Sequence, residues 1–362
     1  MRLSSYVRKL SMGAASIPLL AACTGGHWAE EAAERVAERP QPSSWTDLPV
    51  QTGARDVVHT DTDDRSYKVR ITVKSLVRGS EEDMRGARVD EELKGTVPHY
   101  LTFEVTNTGP EKIPAAYMVY SKLSLNGTDW THGEKISLSG GRPGGVDLPC
   151  ADTAPKTLAP GDSYETCVAY ALRKGVGVLS LTHSADGYFD EGGAVATWSV
   201  KGGLEEASAG LAEPGTGIRV RWEDIEDGVL EFPAALVSVR RGRPADLARL
   251  DLDLNENERR GVPYYVWVTY TNPGPKDLYA DQAGQVRLVT ESGRQIPGQT
   301  PFLHGTEEIP NCPTDWTTQL VPPGESVTEC SVHLVTGDDK PFAVGFSEAD
   351  RPGLAAWRAP TH

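Results

Sequence analysis

Polar and apolar positions alternate with a period of two through residues 97–110, VPHYLTFEVTNTGP. Leu101, Phe103 and Val105 share one parity; Tyr100, Thr102, Glu104 and Thr106 share the other. Successive side chains of a strand point to opposite faces, so this pattern predicts a β-strand with one apolar face. Residues 262–275, VPYYVWVTYTNPGP, repeat it, with Val266, Val268 and Tyr270 set against Tyr265, Trp267, Thr269 and Thr271. Both runs end in Thr-Asn-x-Gly-Pro, a turn sequence in which Asn tolerates left-handed geometry, Gly adopts it freely and Pro stops the strand. Further runs in the first half predict strands at 67–77, 117–125, 164–172, 176–183 and 194–200, and the Asn-Gly within SLNGTD (124–129) predicts a tight hairpin turn.

Seven of the 14 positions in the two long runs are identical, and other blocks recur in the same order. SLVRG (75–79) answers SVRRG (238–242), LAPGDSYETC (158–167) answers VPPGESVTEC (321–330), and ATWSV (196–200) answers AAWRA (355–359). Such internal similarity marks two copies of one domain. About seven short strands per copy, with turns every 8–15 residues or so, predict an all-β chain of two tandem two-sheet sandwiches. Trp198 and Trp357, equivalent in the two copies, are expected in the cores.

The start of the chain has a different character. Arg2, Arg8 and Lys9 precede a weakly apolar stretch from Leu10 to Ala22 that contains Pro18. That is the layout of a secretory signal, and the stretch is too short to span a bilayer. Leu20-Ala21-Ala22-Cys23 resembles the lipobox of bacterial lipoproteins, which implies cleavage before Cys23 and a diacylglycerol on its thiol. Two acyl chains hold a protein stably at a membrane without further lipid contact. Residues 28–38 carry a weak helical spacing, and Pro, Ser, Thr and Asp then dominate to about residue 64, as in an exposed stalk. The expected layout is a signal peptide at 1–22, a stalk at 23–64, sandwiches at 65–200 and 218–362, and a linker at 201–217.

The other four cysteines fall by copy, Cys150 and Cys167 in the first, Cys312 and Cys330 in the second. Four cysteines allow three pairings, and the repeat selects Cys150–Cys167 with Cys312–Cys330. A four-thiolate zinc site is disfavoured, because no Cys-x2-Cys occurs and the pairs lie in separate copies. The strand–turn TFEVTNTGP, the turn LAPGDSYE and the late strand with Trp198, each with its counterpart in copy two, resemble the immunoglobulin-like domains of secreted and lipid-anchored Gram-positive and actinobacterial proteins. That resemblance implies tandem immunoglobulin-like sandwiches that bind or present something.

A formal charge of −15 over 362 residues disfavours nucleic acid and anionic membrane surfaces as partners. Signatures of enzymes are missing: no Gly-x-Ser-x-Gly, no His-Glu-x-x-His and no phosphate loop occurs. The eight histidines (27, 59, 99, 132, 183, 304, 333 and 362) are scattered and are expected at surfaces or sheet edges. DTDD (61–64) and DLDLNENE (251–258) offer oxygen ligands for calcium, but the second departs from an EF-hand at its sixth and twelfth positions. GGRPGG (140–145) reads as a loop. No metal or cofactor is expected.

The candidate partner-binding residues are Tyr265 and Trp267 with Tyr100, on the polar parity of their strands. They form either an exposed aromatic patch or a face covered by the other domain, the linker or a long loop. The expectation is a non-enzymatic binding or interaction module on the extracytoplasmic face of a cell membrane, held there through Cys23, with an unknown protein or envelope ligand. A structural spacer or accessory subunit is the alternative, and an extracellular hydrolase ranks last.

Overall fold

Alternation becomes strand wherever an apolar parity finds a second sheet to cover it. The computed structural model describes residues 45–60, 65–85, 93–114, 122–136, 150, 157–184, 194–224, 228–247, 259, 261–280, 282–298, 312–313, 320–337, 339–347 and 354–360. The signal peptide, Cys23, the 28–38 segment, both acidic clusters and the 140–145 loop lie outside the described residues. Strands before residue 200 are β1 (Thr46–Leu48), β2 (Gly53–Thr60), β3 (Ser66–Arg78), β4 (Thr96–Asn107), β5 (Ile113–Pro114), β6 (Leu123–Gly127), β7 (Glu134–Lys135), β8 (Thr157–Leu158), β9 (Ser163–Arg173), β10 (Val178–Ser184) and β11 (Ala194–Ser199). After it come β12 (Ile218–Asp224), β13 (Gly228–Arg241), β14 (Val262–Thr271), β15 (Leu278–Tyr279), β16 (Val286–Thr290), β17 (Gln295–Pro297), β18 (Leu320–Val321), β19 (Ser326–Val335), β20 (Pro341–Ser347) and β21 (Leu354–Arg358).

The long sheet of copy one runs β1-β3-β4-β9-β7, with β2 also on β3; that of copy two runs β12-β13-β14-β19. Facing them are β11-β10-β6 in copy one and β17-β16-β20-β21 in copy two. All these pairings are antiparallel. The predicted apolar parity is the core: Leu101, Phe103 and Val105 join Trp198 in one cluster, and Val266, Val268 and Tyr270 join Trp357 in the other. Each buried indole donates its N–H to a backbone oxygen, Trp198 to Gly53 and Trp357 to Thr216. The duplication extends to an irregularity, since β3 and β13 both bulge one residue before the equivalent Ser75 and Ser238.

The two repeated turn motifs interlock. Asn107 Nδ2 donates to the carbonyls of Glu111 and Leu158, and its Oδ1 accepts from Gly109 N; Asn272 does the same with Lys276, Val321 and Gly274. The Pro-Gly turn before β9 or β19 answers, as Gly161 N donates to Asn107 O and Gly324 N to Asn272 O. Gly161 and Gly324 sit at φ 84° and 80°, a backbone that side chains resist. Asn therefore acts through its amide. The left-handed geometry that the Asn-x-Gly sequence allows is not used, because neither Asn107 and Asn272 nor Gly109 and Gly274 have positive φ.

Three further expectations change. Residues 46–60, placed in the stalk, form β1 and β2, which both lie along β3. These edge strands are mostly exposed or half-buried and have little apolar content, so their pattern is faint. The hairpin after β6 turns through Thr128, Asp129 and Trp130, closed by Gly127 N to Thr131 O at 2.7 Å. Asn126 instead spans the sheet, donating to Ser180 Oγ and Thr182 Oγ1. Trp130, not Asn-Gly, takes the left-handed backbone, at φ 67°.

The linker is packed. Its helix Gly203–Ser208 sends Glu206 Oε1 to Thr128 Oγ1 and Gly177 N in copy one, while Ala212 exchanges backbone hydrogen bonds with Ala356 and Arg358 in copy two. Leu204, Ala207 and Leu211 belong to one apolar cluster with Trp130 and Leu179 of copy one and Val289, Phe342, Ala343, Leu354 and Ala356 of copy two. Trp130 and Phe342 rings lie 6.1 Å apart, and Gln295 Nε2 donates to Trp130 O. The second sheets of the two copies thus share a small core, and residues 44–362 form a single unit.

Candidate functional site

The predicted aromatic patch starts at a close approach. Gly79 N donates to Pro98 O at 2.8 Å and Gly242 N to Pro263 O at 2.7 Å. A Cβ on Gly79 would meet the Tyr100 ring at 2.8 Å, and one on Gly242 the Tyr265 ring at 2.5 Å. This explains why Gly in one repeated block accompanies Tyr in another. Asp83 and Asp246 sit alongside, capping Ser80 N and Arg243 N. The disulfides then close over the rings. Tyr100 packs with Trp45, Ile136, Ala169 and Cys150–Cys167; Tyr265 packs with Leu247, Val332, Leu334, Trp267 and Cys312–Cys330. Burial, and then the adjacent Asp83 or Asp246 charge, pushes both phenol pKa values up.

Tyr100 and Tyr265 are only 3% and 1% exposed, and Trp267 is half-buried with its indole N–H turned inward. Of the two alternatives for this face, the covered one holds: the disulfide and neighbouring apolar side chains of the same copy lie against the rings. Both disulfides pair within their copies.

The histidines also differ from expectation, since His99, His183 and His333 are buried. Facing strands exchange residue types between copies: His99 of β4 opposes Tyr170 of β9, whereas Tyr264 of β14 opposes His333 of β19. His333 Nδ1 bonds Ile296 O at 2.9 Å, and its Nε2 lies 2.8 Å from Ser331 Oγ. The carbonyl requires a proton on Nδ1, so Ser331 donates to Nε2. That is the polarity of a nucleophile with its base. Burial, however, lowers the His333 pKa to about 4, a weak base at neutral pH, and both side chains are sealed in the core. Glu329, two residues earlier on the same face, accepts from Ala283 N. This row joins β19 to the segment around β16 and β17. Sequence inspection missed it, although Glu-x-Ser-x-His at period two is an unusual set for a core-facing parity. Among the described residues, no cluster of three His, Cys, Asp or Glu side chains is set to hold a metal.

The outer faces of the long sheets separate the copies most clearly. In copy one this face carries charge: Arg70 pairs with Asp56, Lys74 with Glu104, and Glu165 stands opposite Glu104. In copy two the equivalent positions are Pro233 for Arg70, Val237 for Lys74, Thr269 for Glu104 and Thr328 for Glu165. Thr269 and Thr328 hydroxyls meet at 2.7 Å, as do those of Thr271 and Ser326. Val237 is 54% exposed. Aligning the two copies, rather than scanning for motifs, is the signal that finds this face.

The architecture defines the class, an all-β protein of antiparallel two-sheet sandwiches. No family model and no curated protein matches the chain. Among solved structures, MPT63, a secreted protein from Mycobacterium tuberculosis, is similar at 13% identity, covering 41% of this chain and 95% of its own, with a TM-score of 0.29. No helix among the described residues is long and apolar enough to cross a membrane.

Proposed function

We propose that this chain is a non-enzymatic binding module of the outer membrane face, anchored by lipid on Cys23, in which copy two carries the ligand-binding face. One observation carries the reading. The two copies keep the same frame, down to the bulge, the Asn brackets and the disulfide over a Tyr, yet replace four charged positions of one exposed sheet face with uncharged residues. A frame maintained for stability alone gives no reason for that asymmetry. The lipobox-like Leu20–Cys23 tetrad supports the anchor, and the paired cysteines suit an oxidising compartment.

Thermal shift of the purified full-length protein against fractionated cell-envelope extracts tests the binding role. The reading expects a rise of several degrees with at least one fraction, whereas a flat response to all of them contradicts it. A specific feature favours the spacer as the second reading: the helix 203–208 and Trp130 hold the copies together as a stiff pair. For the anchor, radiolabelled palmitate should enter the wild-type chain, and Cys23→Ala should lose the label and escape to the medium.

A further inference from the structure

We infer that the threonine-bearing sheet face of copy two is a docking surface for a neutral polysaccharide chain. The inference rests on the binding-module reading and names its ligand class. The face is built from cross-strand rows, Pro233 with Thr271 and Ser326 beside it and then Ala235, Thr269 and Thr328; the Arg219–Glu231 ion pair lies at its β12 edge, and the next row, at Trp267, is already covered by the disulfide cluster. Side chains directly opposite in an antiparallel pair point to one side, so these groups share a surface.

Three properties select the occupant. The first is charge. In a chain of net charge −15, this face has lost the Arg70, Lys74, Glu104 and Glu165 equivalents and keeps Arg219 only in an ion pair with Glu231, so it offers an ionic polymer little. The second is hydrogen-bonding type. A hydroxyl offers one donor and two acceptor sites, so each mutually bonded pair, Thr269–Thr328 and Thr271–Ser326, keeps both a donor and acceptors uncommitted. A sugar hydroxyl is likewise donor and acceptor at once, while the threonine methyls, Ala235, Pro233 and Val237 suit the C–H faces of a pyranose. The third is size. Four strands about 4.8 Å apart and some five residues at about 3.3 Å rise make roughly 300 Å². A stable protein–protein contact takes about 800 Å² per partner, so the face is too small for a second copy of the chain.

Restoring the copy-one residues gives the test. Val237→Lys, Thr269→Glu and Thr328→Glu rebuild a charge set that the same frame already carries at Lys74, Glu104 and Glu165. Isothermal titration of the full-length protein with cellohexaose, laminarihexaose, mannohexaose and maltohexaose should show at least one neutral hexamer binding. The triple variant should bind it at least tenfold more weakly with an unchanged melting temperature. Thr328→Glu alone, at an exposed site, serves if the triple variant does not fold. Failure of all four hexamers at millimolar concentration, or binding that survives the charge restoration, overturns the inference. Should envelope fractions still stabilise the protein when no hexamer binds, only the ligand class falls. If neither acts, the binding role falls with it.

Discussion

His99 and His333 are sealed in cores that hold their imidazoles neutral. Burial is the main cause in both, and it lowers each pKa from 6.5 to about 4. The consequence for stability has a definite sign. Between those values an unfolded chain takes up protons that the folded protein refuses, so stability falls as pH falls and rises as pH rises. The loss begins near the unfolded pKa of about 6.5 and is complete by about pH 4, on the order of 3 kcal/mol per histidine. Urea unfolding at stepped pH should show this decline before carboxylate protonation dominates. An imidazole NMR titration should find neither residue charging above about pH 5; a midpoint near 6.5 for His333 would mean that water reaches the Ser331 pair. The same restraint keeps the Ser331–His333 contact a structural bond, despite its resemblance to a catalytic one.

At the scale of elements, each disulfide acts as the roof over a tyrosine. Closing a loop of 17 or 18 residues is worth about 3 kcal/mol in the chain-entropy model. Removing one pair, with Cys312→Ala and Cys330→Ala together, should lower stability by about that much in urea. It should also expose Tyr265 and Trp267, read as red-shifted tryptophan emission and faster quenching by acrylamide. Unchanged emission would mean that the aromatic cluster stands without its roof.

Much of this level was legible in the alternation of residues 97–110 and 262–275. A buried parity leaves its mark on every second residue, and the repeat alone chose the cysteine pairing. What covers the opposite parity was not legible, because the cover comes from segments many residues away. Tyr265 and Trp267 therefore read equally as an open patch or a covered face, although the glycine at 242 held a trace of their packing. Strands β1 and β2 escaped notice for a related reason, since edge strands bury too little to impose a clear period. The left-handed Trp130 follows no pattern at all.

At the scale of the whole molecule, two copies of one sandwich share a small apolar core wedged by Trp130 and the helix 203–208. A bulky residue with positive φ carries strain of about 1–3 kcal/mol, and it persists only where neighbours over-determine it. Phe342, Gln295 and the linker leucines do so here. The copies are thus held at one mutual orientation. Pulsed electron-spin distance measurement between non-cysteine spin labels at the exposed Arg70 and Arg240 tests that claim most directly. One narrow distance in the wild-type protein, broadened by Trp130→Ala, is the predicted result; a broad distribution in the wild-type protein itself would contradict it.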